Sequence, residues 1–119
     1  MIDPRILRHY ARKDVQQAIV QLAKDREVAV KYGEGGFGKR PDILQYPSDV
    51  FELAKKGVTS FHVSEERWKD PLQLRSGMAK RQLDEIRIGW DLVLDLDTNF
   101  IEFAKCAAIL LKDALNFYN

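Results

Sequence analysis

Residues 89–100 read GWDLVLDLDTNF, and the fold turns on how this run is read. Apolar residues alternate along it and carry two carboxylates, Asp95 and Asp97, to its end. The alternation predicts a buried strand, because successive side chains of a strand leave opposite faces. Asp95 and Asp97, two residues apart, then project together while Leu94 and Leu96 pack behind them. Like charges this close repel, and a divalent cation with a preference for oxygen ligands, Mg2+ or Mn2+, relieves the repulsion. The simpler alternative is a strand end that turns its acids into solvent before the next helix begins. The apolar run before the pair and the helix after it bring the metal reading level with the simpler one, since ligand sites gather at strand ends in α/β sheets.

Working outward, the flanking chain supplies material for one domain over residues 1–119. At 119 residues, 45% hydrophobic and 31% charged, it has the composition of an ordinary globular protein. Its net charge of +1 names no partner. Residues 1–40 nevertheless carry nine basic side chains against five acidic ones. That local excess can steer a polyanion, or can equally be a solvated face. A lone Cys106 allows neither an intrachain disulfide nor a cysteine-based zinc site, and in its apolar surroundings it reads as a small core residue. No signal-peptide core or membrane-length apolar run is visible, so a cytoplasmic location is expected.

Toward the N-terminus, Asp3-Pro4 marks a helix start and Asp14 a second, with Val15, Ala18, Ile19, Leu22 and Ala23 on one apolar face. Val28, Val30 and Tyr32 alternate as a strand. The loop GEGGFGKRP, residues 33–41, matches neither a Walker loop nor GxGxxG, yet Lys39 and Arg40 are candidate phosphate ligands if it is more than a flexible turn. Asp49 with Glu52 predicts a capped helix that Gly57 ends, and 58–63 a second strand. SEERWKDP, residues 64–71, reads as a single helical turn. Within this part His62 and Arg67 are candidate nucleic-acid or phosphate contacts. Their bland alternatives are a hydrogen-bonded structural histidine and a surface ion pair with Glu65 or Glu66. Residues 79–86 read as a helix, and Asn99 with Glu102 as the cap of a last one. That last helix is apolar around most of its circumference, from Phe100 to Phe117. Such a helix expects burial on most sides, so self-association or further polypeptide covering it is expected. The sum is an α/β (α+β) domain, a small mixed sheet flanked by helices.

Three stretches, KYGEGGFGKRPDILQYPSDVFELAKKG, TSFHVSEERWKDPLQL and RIGWDLVLDLD, together resemble the N-terminal half of the small catalytic subunit of archaeal and eukaryotic-type DNA primases. More narrowly they are similar to stand-alone archaeal primase-like proteins. The resemblance spans essentially the whole sequence and implies the N-terminal part of a primase-type catalytic domain. It assigns Asp95 and Asp97 as ligands of the catalytic Mg2+ or Mn2+, and nucleotidyl transfer as the reaction, in primer synthesis for DNA replication or in DNA repair. A DNA or RNA/DNA template and nucleotides are the partners it implies. The family's later Ser-x-His motif and third metal-binding carboxylate are missing after Asp97. This chain alone is therefore expected to be inactive, an N-terminal portion completed by a partner chain. The competing reading is a non-catalytic nucleic-acid-binding or assembly module.

Overall fold

The computed structural model describes residues 2–117. Helix α1 (Pro4–Ala11) starts as its sequence demands: Asp3 is the N-cap, Pro4 occupies the first turn, and the Arg5 N–H donates to Asp3 Oδ1 at 2.8 Å. Helix α2 (Lys13–Ala23) follows after Arg12, which is its N-cap. Asp14, expected to cap it, instead lies in the first turn and pairs with Arg12 at 2.6 Å. The buried face of α2 is also rotated from the expected one. Gln16, Ile19, Val20 and Ala23 face the core, whereas Leu22 stays 60% exposed. Gln16 enters the core with its Nε2 donating to the Tyr10 carbonyl at 2.7 Å, while its Oε1 has no partner among the described residues.

Strands β1 (Val28–Lys31) and β2 (Ser60–Val63) form an antiparallel ladder from Val28↔Val63 to Lys31↔Ser60. Alternation then does its work: Val28 and Val30 are buried, and Ala29 and Lys31 turn away. Between the strands runs α3 (Pro47–Lys55), which packs on α1 and α2. It begins one turn earlier than expected, with Pro47 in its first turn and Asp49 at N3, where its Oδ2 accepts the Tyr46 N–H at 3.2 Å. Its exit is at Gly57, whose φ of +105° suits glycine. The core is Ala23, Val28, Val30, Leu44, Val50 and Val58, with Tyr10, Ile19, Leu53 and Phe61 packed against it.

The second ladder corrects the reading of residues 64–71 as a helical turn. Glu66–Trp68 is strand β3, antiparallel to β4 (Arg87–Trp90), with Arg67 opposite Gly89. A 3-10 turn (Pro71–Gln73) and helix α4 (Lys80–Ile86) connect them. Trp68 is buried at 4% exposure, and the Arg87 guanidinium stacks 5.0 Å from its ring and 4.3 Å from that of Trp90. The architecture is thus α+β, with five helices and two antiparallel two-stranded sheets among the described residues.

Residues 91–100 overturn the expectation of a buried strand. The ladder stops at Trp90, and Leu92, Val93 and Leu94 are 75%, 59% and 50% exposed. Alternation records the capacity to be a strand, but a strand exists only where another edge takes its hydrogen bonds. Helix α5 (Ile101–Phe117) continues outward with no buried residue, and Cys106 on it is exposed rather than in the core. Its first turn closes on Phe100 rather than Asn99: the Phe103 and Ala104 N–H groups donate to the Phe100 carbonyl at 3.0 and 3.4 Å, and the Phe100 N–H donates to Thr98 Oγ1 at 3.2 Å just before the helix. The radius of gyration, 16.5 Å, exceeds the ~13.5 Å of a compact chain this long. Among the described residues no helix is long and apolar enough to cross a membrane.

Candidate metal and phosphate sites

The acidic pair leaves the fold from a fixed point. Asp91, the first residue after β4, ion-pairs with Arg26 and lies 3.6 Å from Arg67 Nε. Arg26 is the better anchored partner. It is 8% exposed, and its guanidinium also donates to the carbonyls of Leu22 at 2.8 Å, Ser64 at 2.9 Å and Glu65 at 3.3 Å. A buried guanidinium needs all of these acceptors together with a carboxylate to offset its lost hydration. Asp91 meets the last of those needs, a role that the sequence reading did not assign. Its signal is a carboxylate that interrupts the apolar run directly after a tryptophan.

Asp95 and Asp97 follow at four and six residues beyond this clasp. Both are exposed, while Leu96 between them is half-buried. Neither carboxylate has a hydrogen bond or an ion pair among the described residues. Their oxygens therefore fit a hard divalent cation, which takes oxygen donors. No third His, Cys, Asp or Glu joins them in a metal-sized group among the described residues. The pair would supply two of the ligands and solvent or a phosphorylated ligand the others.

The other candidates fall in two places. Arg67 lies beside Asp91 and borders a cavity of about 470 Å³ with Arg26, Lys24 and Gln21. Its ion-pair partner is Asp91, not the expected Glu65 or Glu66; Glu66 instead meets Arg87 at 3.4 Å. His62 and Arg40 come together elsewhere, on the outward face of the β1–β2 ladder. They line a 200 Å³ cavity with Glu27, Ala29, Phe37 and Ser64. His62 Nε2 is 2.9 Å from Ser60 Oγ, and its ring meets Phe37 edge-on at 5.2 Å. Arg40 Nε donates to Glu27 Oε1 at 2.9 Å, and this bond holds the guanidinium's pKa above its ordinary value. Lys39, its neighbour in sequence, does not line that cavity.

The glycine-rich loop that delivers Arg40 is built against the sheet. Lys31 bridges Phe37 and Val28 bridges Asp42, and the Gly38 N–H donates to the Val30 carbonyl at 2.8 Å. A Cβ at Gly38 would lie 3.0 Å from Val30 Cγ2, so glycine permits this approach. Phe37, Glu27 and Arg75, which complete the surroundings of Arg40 in its two cavities, were not foreseen from sequence. Arg75 had no signal, being one polar residue in a polar connection. No protein-family model matches the chain, and no curated protein or solved structure matches it either.

Proposed function

We propose that this chain carries the acidic metal-binding pair of a primase-type nucleotidyl transferase acting on a DNA or RNA/DNA template. The observation that supports it is the state of Asp95 and Asp97: two unpartnered, exposed carboxylates two residues apart, just beyond a strand whose end is clasped to a buried arginine. Divalent metal bound there would stabilise the attacking and leaving oxygens of phosphoryl transfer. Of this chain's own residues, Arg26 and Asp91 position the pair, and Arg67 is a cation within reach of a phosphate backbone. A cytoplasmic setting in DNA replication or repair accompanies this reading, and a partner chain supplies the remaining ligands.

The test is calorimetric titration of Mn2+ into the protein and into the Asp95→Asn, Asp97→Asn variant. Binding that disappears in the variant supports the reading. Equal binding in both, or none in either, removes it. A second reading, an assembly module without catalysis, is favoured by the large apolar residues Leu92, Phe103 and Leu110, which remain exposed. Under that reading the asparagine variant retains nucleic-acid binding, and light scattering shows self-association through α5.

A further inference from the structure

A cavity of about 580 Å³ opens between the end of α2, residues 43–46 and residues 69–71, and none of Asp95, Asp97, Arg67, Arg40 and His62 lines it. Its size is that of a ligand site. Its apolar wall is Val20, Ala23, Leu44 and Pro71, all but Val20 buried, and Tyr46 beside them is 63% exposed. The charged residues of the wall are Lys24, Asp25, Lys69 and Asp70, two of each sign, so the cavity carries no net charge. Such a balance offers nothing to a polyanion, which binds through an excess of cations. Another part of the wall is extended main chain. Asp42 is bridged antiparallel to Val28, and Tyr46 has φ −120° and ψ 139° before α3 begins. Residues 43–45 between them form no helix, turn or ladder. The N–H groups of Leu44 and Gln45 and the carbonyls of all three residues have no hydrogen-bond partner among the described residues. Gln45 is exposed, so its main chain is open to an incoming strand.

We propose that this groove binds a short extended segment of a partner protein, which adds a strand alongside residues 43–45 and sets alternate apolar side chains into the cavity. Strand addition uses both features of the wall: unpaired main-chain groups supply the hydrogen bonds, and the apolar cavity takes every second side chain. A compact apolar molecule would leave the main chain unpaired, and a phosphate chain would meet two carboxylates along with two lysines. Tyr46 adds an exposed aromatic ring, the residue type on which interface binding energy concentrates. The surface lies outside the transferase reading and needs neither a metal nor the acidic pair.

The probes are end-capped peptides Thr-Xaa-Thr-Xaa-Thr, with leucine, valine or phenylalanine at both Xaa positions, titrated into isotope-labelled protein while its amide resonances are followed. Shifts should be confined to residues 20–25, 43–46 and 69–70. Two N-methylated versions, one modified at the threonine nitrogens and one at the Xaa nitrogens, should differ in affinity about tenfold, because only one edge of a strand faces the protein. Gln45→Pro deletes an N–H that has no partner within the chain and should weaken binding about fivefold. Tyr46→Ala keeps the N–H that Asp49 accepts and should weaken it about tenfold. Absence of shifts at millimolar peptide, equal binding by the two N-methylated versions, or binding that both protein variants leave intact overturns the proposal. A thymidine oligonucleotide that moves the same amides more strongly overturns it too, in favour of a nucleic-acid surface. Undiminished peptide binding by the Asp95→Asn, Asp97→Asn variant sustains the groove even if the manganese titration fails.

Discussion

The last thirty residues are richer in apolar side chains than the first seventy, 19 of 30 against 28 of 70, and yet they are the less buried part. In the first part Val28, Val50 and Val58 are essentially sealed from water. In the second, Leu92, Phe103, Leu110 and Ile109 are 75%, 68%, 69% and 59% exposed. The difference lies in partners, not in composition. Val28 belongs to a strand whose ladder and three covering helices are present; Leu92 has a strand's pattern and no ladder. Hydrophobicity thus states what a segment would gain by burial, while the fold depends on whether a complementary surface exists.

Substituting like residues in the two parts measures this contrast most directly. Leu44→Ala, at 6% exposure, should cost about 2–5 kcal/mol in urea unfolding. Leu110→Ala should stay within about 0.5 kcal/mol; an equal loss at both sites would show that α5 is buried in solution. Next in size is the link between the parts. Arg26→Ala removes the bonds to Leu22, Ser64, Glu65 and Asp91 and should cost about 1–3 kcal/mol, read from the same transition. Asp95→Asn with Asp97→Asn should leave the unfolding midpoint essentially unchanged, since neither acid has a partner to lose. A destabilised variant would place the pair inside the folding unit.

The smallest effect concerns the opposite end. Hydrogen bonds from the Arg5 side chain and then from its N–H hold the Asp3 carboxyl below its ordinary value. A carboxylate lowered in the folded state supports that state above its unfolded pKa and loses the support as pH falls through the folded one. Amide protection at the start of α1, taken relative to the intrinsic exchange rate at each pH, should therefore fall upon acidification through and below the ordinary carboxylate range, while that of α3 is unaffected. Asp3→Asn should abolish that pH dependence.

What could be read from the sequence follows the same division. The Asp3-Pro4 helix start, the β1 alternation, the β-rich run that becomes β2 and the Gly57 stop depend on neighbours a few residues away, and each is present. Residues 64–71 were legible only as a local pattern, where Ser64 and two glutamates imitate a helix start. Trp68 becomes a strand residue because Arg87–Trp90, some twenty positions later, provides the ladder and the stacking guanidinium. The rotation of α2 was hidden for a related reason: Gln16 enters the core through the Tyr10 carbonyl, a contact that hydropathy does not encode. Among candidate site residues, Arg40 and His62 were legible as residue types but not as neighbours. Their meeting depends on the loop folding back across β1.

The clasp at Asp91 also sets a leash. Asp95 lies four Cα steps beyond it, and an extended chain spans at most about 3.5 Å per residue, so Asp95 stays within about 14 Å of Asp91. Whatever conformation residues 92–97 take, Asp95 stays within about 14 Å and Asp97 within about 21 Å of the anchor beside Arg26 and Arg67. A partner surface can complete the ladder, but the address at which the carboxylates arrive is already set by a single ion pair.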